Sequence, residues 1–157
     1  MKNRELKRQL QRIEDLINST SDSTDDNLEL QGHWGRYLCV LAAGFLENAI
    51  SEIYIEFVNK SSSPHVASFT RRKLQKIQNP KAGKFVETAY AFSNEWGKEL
   101  ENLFENDSSL KDAIDSIMSN RHNIAHGKQT SISVIRVKEY LLKSIQVIEF
   151  IELQCNS

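Results

Sequence analysis

Positive charge is not in excess in this chain: 20 lysines and arginines stand against 21 aspartates and glutamates, a formal net charge of −1. That excludes a protein that coats nucleic acid through bulk charge, so any such contact has to come from a local patch. Cysteine is scarce. Cys39 lies in an apolar run and Cys155 near the C-terminus, with no C-x-x-C pair, so neither a zinc knuckle nor a disulfide framework is indicated. Long apolar runs are missing too. The longest nearly pure one, Tyr37 to Leu46, is about half the ~20 residues a membrane span needs and reads as a buried helix. The N-terminus, MKNRELKRQLQR, is charged throughout and has no apolar signal-peptide core. The expected location is a reducing cytoplasm, with no membrane partner.

Sustained period-two alternation is absent, and so is any repeat at about 20–50 residues. What remains is helical. With 157 residues, 39% hydrophobic and 26% charged, the chain has the composition of an ordinary globular protein and reads as a single domain over 1–157. Leu6, Leu10, Ile13, Leu16 and Ile17 share one helix face. The polar run Ser19 to Asn27 then predicts a loop, because its residues compete with helical hydrogen bonds.

A longer helix is predicted from about Leu28 to Asn59. Leu38, Leu41, Phe45, Ile50, Ile53 and Phe57 form one stripe, while Val40, Leu46, Tyr54 and Val58 lie on other faces. Such a helix belongs in the middle of a bundle. Pro64 starts a helix to about Gln78, which Asn79-Pro80 ends. Ala82 to about Phe104 reads as one or two helices with a break near Ser93-Asn94; Asp107-Ser108-Ser109 offers an N-cap for the next, and Ser109 with Asp112 fits a capping box. That helix places Leu110, Ile114, Ile117, Met118 and Ile124 on one side, with Gly127 placed to end it. The last, about Ser133 to Leu153, buries Val134, Val137, Leu141, Ile148 and Ile151. The fold class is all-α: a compact bundle of five to seven helices around a long central one.

The chemistry is concentrated in Arg121-His122-Asn123-Ile124-Ala125-His126-Gly127. Arginine is a permanent cation that grips phosphate oxygens in a fork. Histidine gives and takes protons near neutrality. Arg121 follows Ile117 and Met118 by four and three residues, which continues the apolar stripe into a charged helix end. His126 follows by five residues, about 140° around a regular helix. Unwinding at Gly127 is expected to let it swing toward Arg121. The same residues also suit plain compensation of the helix dipole, about 0.3–1 kcal/mol each. His122 and His126, spaced i, i+4, would suit a metal ion, but no third ligand is obvious, so neither metal nor cofactor is expected.

Arg121 and His126, four residues between them, with glycine following, resemble the R-x4–6-H signature of the HEPN superfamily. Trp34-Gly35-Arg36-Tyr37 and Gly44-Phe45-Leu46-Glu47 on the long helix, and the amphipathic helix after the motif, resemble the RiboL-PSP type of HEPN domain over about residues 1–154. The resemblance implies a metal-independent endoribonuclease that works as a homodimer with two motifs facing each other. In it His126 moves the proton of the 2′-OH or the 5′-oxygen, Arg121 holds the scissile phosphate and Asn123 positions phosphate or imidazole. His122 stands where relatives often have asparagine or aspartate, as a supporting polar contact. Lys128 stands where HEPN toxins silenced by nucleotidylation carry tyrosine, so that control is not expected.

Glu47 and Arg36, close in azimuth on the long helix, are candidate supports, with Glu47 offsetting Arg121. For RNA there is a run of six basic residues from Arg71 to Lys84 with no acid among them. It includes Arg71, Arg72, Lys73 and Lys76, and Lys128 joins from the motif. A solvated helix face is the plainer reading of that run. Glu95 to Asp115, with seven acids and two lysines, suits a protein partner better than RNA. Trp34, Tyr37 and Trp96 suit either base stacking or a core or dimer interface. Three functions stay open: a ribonuclease in a defence or toxin–antitoxin setting, with an antitoxin or regulatory partner; a non-catalytic HEPN module binding RNA or nucleotide; and an interaction scaffold.

Overall fold

The computed structural model describes residues 1–23 and 27–157. Seven helices lie among them: α1 (Arg4–Ser23), α2 (Leu28–Ser61), α3 (Pro64–Leu74), α4 (Ala82–Phe92), α5 (Asn94–Asn106), α6 (Ser108–Ala125) and α7 (Val134–Asn156). No strand occurs among the described residues.

α2 is the axis of the bundle. It packs against α1, α3, α6 and α7 and buries side chains on most of its circumference, from Leu38 and Cys39 to Tyr54 and Val58. By length and composition it is apolar enough to cross a membrane, but 67% of its most apolar stretch is buried inside the bundle. It is a core helix. Gly35 meets the Ile132 carbonyl just before α7. At the opposite end Asn3 reaches Glu56, while Glu152 of α7 accepts the Lys2 N–H at 2.6 Å. α2 and α7 therefore run the same way and α1 runs against both. The C-terminus of α6 and the N-termini of α2 and α7 gather at one end.

Several boundaries follow from identifiable caps. Ser93 both ends α4 and caps α5, accepting from the Trp96 N–H, where the break is expected. Trp96 joins Tyr54, Phe57 and Phe92 in an aromatic cluster and is core, not a base platform. Three expectations need correction. Ser19 to Ser23 is helical, not loop; Ser19 and Thr20 turn their hydroxyls back to the Asp15 and Leu16 carbonyls, at 2.8 and 2.9 Å, and Thr20 is buried. The rest of that predicted loop, residues 24–26, lies outside the described residues, and Asn27 caps α2.

α3 stops at Leu74, four residues before the expected end. The Ser51 hydroxyl donates to the Leu74 carbonyl at 3.2 Å, and the last turn tightens through the Ile77 N–H to that same carbonyl. The cap of α6 is Asp107, which accepts from the Ser109 N–H at 3.0 Å, so the Ser109–Asp112 box does not form.

Cys39 is wholly buried, its thiol 3.5 Å from the Ile117 carbonyl, and burial pushes its pKa up to about 12. The thiolate is the reactive form. Cys39 therefore stays unmodified by a disulfide reagent at pH 8 in the native protein and reacts only on denaturation, which mass spectrometry of the labelled peptide reads directly.

Candidate functional site at the end of α6

Leu110, Ala113, Ile114, Ile117 and Met118 of α6 are buried, and Arg121 is the next residue on that stripe. Its side chain is half-buried and has no carboxylate or hydrogen-bond partner among the described residues. A cation drawn partly out of water without a counter-charge favours an incoming anion.

The helix then ends in a Schellman motif. Gly127 takes φ +68°, its N–H reaches the Ile124 carbonyl at 3.1 Å, and the Lys128 N–H reaches that of Asn123 at 2.9 Å. His126 itself still makes a helical bond, its N–H to the His122 carbonyl at 3.1 Å. The sequence suggested that the helix unwinds at its last turn; it does not unwind before His126. The imidazole stays on its own face and rests against His122, with ring centroids 4.3 Å apart and planes at 52°. Within one chain, Arg121 and His126 point about 140° apart.

Both rings are exposed in a cationic setting. His122 is held below the usual imidazole pKa, first by the charge of His126, then by desolvation and by Lys128, Lys81 and Arg121. Lys81 is the residue that sequence reasoning left in a general basic run. It sits at the head of α4, which docks on α6 because Asp115 accepts the Ala82 N–H at 2.9 Å. Asp115 precedes His122 by seven residues, two turns along nearly the same azimuth. That spacing was the available signal, but it pointed to Lys81 only once the partner of Asp115 was known.

The remaining expected residues separate. The Asn123 side-chain amide has no hydrogen-bond partner among the described residues and stands next to Arg121 and His122, available to a ligand. Lys128 is exposed one residue past the cap. Glu47 does not offset Arg121: its carboxylate accepts the Asn79 N–H at 2.7 Å and braces the α3–α4 turn. Arg36 donates to His33 Nδ1 at 2.6 Å and lines a cavity of about 570 Å³ with Gln31, Ser131 and Arg136, beside the start of α7. Arg71, Arg72 and Lys73 are exposed on α3 and Lys76 is exposed just after it, on a different element from the Arg121–His126 turn. Trp34 leans on the core with its edge to the half-exposed Tyr37, centroids 5.7 Å apart. No cluster of three His, Cys, Asp or Glu residues suited to a metal occurs among the described residues.

The RiboL-PSP-HEPN family model matches residues 4–157. The chain belongs to that family. No curated protein and no solved structure matches it significantly. The match spans the seven helices of the described residues, so the Arg121–His126 spacing lies within a HEPN domain and is not an isolated string.

In this HEPN domain the two imidazoles and their cations set a measurable order. The expected outcome of an NMR titration is that His122 loses its proton below the ordinary 6.5. Replacing His126 with alanine moves it upward further than replacing Lys128, because His126 is the larger cause. The sign also bears on stability. A histidine whose pKa is lower folded than unfolded binds its proton more tightly when unfolded, so its effect is absent well above 6.5 and destabilises the fold as pH falls below that.

Proposed function

We propose that this HEPN domain is a metal-independent endoribonuclease whose site is completed by a second copy of the chain. The observation that carries the reading is the half-buried Arg121 guanidinium, without a counter-charge among the described residues, on the turn that also bears two imidazoles in contact. Arg121 takes a non-bridging oxygen of the scissile phosphate and stabilises the charge that builds there. One imidazole removes the proton of the ribose 2′-OH as O2′ attacks phosphorus. The bond from phosphorus to O5′ breaks, and a protonated imidazole gives O5′ its proton. The products are a 2′,3′-cyclic phosphate and a free 5′-OH, and DNA is not a substrate.

Divergence of Arg121 and His126 within one chain supports the dimer, because a facing copy brings its own His126 over this Arg121. His122, its pKa lowered, is unprotonated at neutral pH and accepts a proton or orients His126. The Asn123 amide donates to a second phosphate oxygen. Such an activity harms its own cell when unrestrained, which fits a defence or toxin–antitoxin setting with a regulatory partner.

The test is incubation of purified protein with RNA in EDTA. The wild type cuts and leaves cyclic-phosphate ends, Arg121→Ala and His126→Ala do not, and sedimentation gives a dimer. Cleavage that disappears in EDTA, or a strict monomer that cuts, overturns the proposal. The same divergence favours one other reading, a HEPN module that binds RNA without cutting it. Intact RNA with measurable affinity is its signature.

A further inference from the structure

Outside the α6 site, the most exposed aromatic side chain among the described residues is Phe69, on α3. Phe69 is 64% exposed, and the Lys73 ammonium sits over its ring, 5.5 Å from the centroid. Val66, one turn earlier, is also exposed. Arg72, Lys73 and Lys76 have no carboxylate partner among the described residues, and Arg71 only reaches the amide oxygen of Asn59 at 3.4 Å. Elsewhere on the surface Lys60, Lys84, Lys111 and Arg136 each pair with an acid one turn away. The α3 end is therefore a cationic surface left open, with an aromatic face in it.

That surface is held in place relative to the α6 site. The Leu74 carbonyl is tied to Ser51, and the Asn79 N–H, at a residue with φ +48°, to Glu47, so both ends of the α3–α4 turn are pinned to α2. Two residues on, Lys81 stands at the head of α4, which Asp115 docks on α6, near enough for its charge to act on His122. Ser51 to Glu47 is one turn of α2, and Phe69 lies five residues before Leu74, so about 14 Å of helix axis separates Asn79 from Phe69. In chain order the cations are Lys73, Lys76 and Lys81, then Arg121 and Lys128.

We propose that α3 carries a binding subsite: a single strand of RNA held at the α6 site runs on along Lys81 and Lys76, and one of its bases stacks on Phe69. This rests on RNA being the ligand of the α6 site and adds to that reading the surface that holds the rest of the strand. A phosphate backbone supplies the negative charge the open lysines lack, and every base has a face to lay on an aromatic ring. A duplex keeps its bases stacked on each other and offers none to Phe69.

The test uses His126→Ala protein, which does not cut, and fluorescein-labelled oligouridylates of about three and about twelve nucleotides, lengths that bracket a short single-strand site. The longer probe binds more tightly, and adding Phe69→Ala weakens it about 5- to 150-fold, the range for loss of one stacked base. The shorter probe is much less affected. Lys76→Gln with Lys81→Gln reduces the slope of log affinity against log salt by about 0.7 for each lost phosphate contact. Phe69 is exposed, so its replacement folds, which circular dichroism checks.

Unchanged affinity in the Phe69→Ala and lysine variants overturns the inference, while cleavage by wild type would leave the ribonuclease reading standing. Length-dependent binding that needs Phe69, with no cleavage by wild type, supports the inference and overturns that reading. A Phe69→Ala variant that changes sedimentation but not RNA affinity makes α3 a protein contact and overturns the inference. Duplex RNA bound as tightly as single strand also overturns it.

Discussion

Replacing His126 with alanine lowers the rate of RNA cleavage about 10²- to 10⁴-fold, the usual worth of a positioned general acid or base. Arg121→Ala costs about 10²- to 10³-fold, comparable to removing one donor from an oxyanion site. Neither change shifts the melting temperature much. His126 is exposed and one position past the last helical residue, where a favourable meeting with the helix dipole is worth about 0.3–1 kcal/mol. Arg121→Ala even removes a half-buried cation that has no counter-charge among the described residues. Large kinetic loss with small thermal change is the pattern that separates a catalytic pair from a helix cap, which would give the reverse.

Two further features sharpen that result. Arg121→Lys keeps the charge but not the fork, and does not restore the wild-type rate. The double variant is hardly slower than the slower single one, because groups that stabilise one transition state together lose their worth together. The measurement is single-turnover cleavage of a defined RNA in EDTA, alongside a thermal melt of each variant.

How much of this was legible in the sequence depended on whether a signal was local. Ser93, Pro64 and Gly127 act on their own backbone neighbours, and each terminates or starts a helix where the sequence placed it. The apolar stripes of α6 and α7 are equally local and are buried as expected, except Ile124, which is only partly buried at the end of α6. Residues that answer to distant partners misled. Ser19 and Thr20 look like loop formers until the helix offers them carbonyls and Thr20 is buried against the core. Leu74 ends α3 because of Ser51, 23 residues away. Glu47 has the charge to offset Arg121, yet the Asn79 N–H takes it.

At the site itself the motif was visible, because Arg121, His126 and Gly127 lie within one short stretch. Its geometry was not. Gly127 was read as a hinge, but its Schellman bonds close the helix behind His126 and keep the two imidazoles together. The role of Lys81 required knowing that Asp115 caps α4.

Gly35→Ala has the largest effect expected on the fold. An added Cβ would lie 2.0 Å from the Ile132 carbonyl oxygen and 3.0 Å from its carbon. Both are backbone atoms of a residue buried just before the start of α7, so no side-chain rotation relieves the overlap. α2 and the loop must separate. Overpacking of this kind costs about 1–3 kcal/mol, or about 2–12 °C in melting temperature for a chain of this size. Activity falls with it. The displaced segment continues from the Schellman turn behind His126, and a shift of about 1 Å at a reacting group costs up to about 10²-fold.

Gly44→Ala, nine residues further along the same helix, is the matched control. An added Cβ there meets nothing within 4 Å. Alanine is the better helix former by about 1 kcal/mol, so this variant melts higher. The same substitution in the same helix thus carries opposite signs, and thermal melts of the two read the difference. Two variants that both melt higher would mean that α2 does not approach Ile132 closely. The path from the core helix to the catalytic turn would then have to run elsewhere.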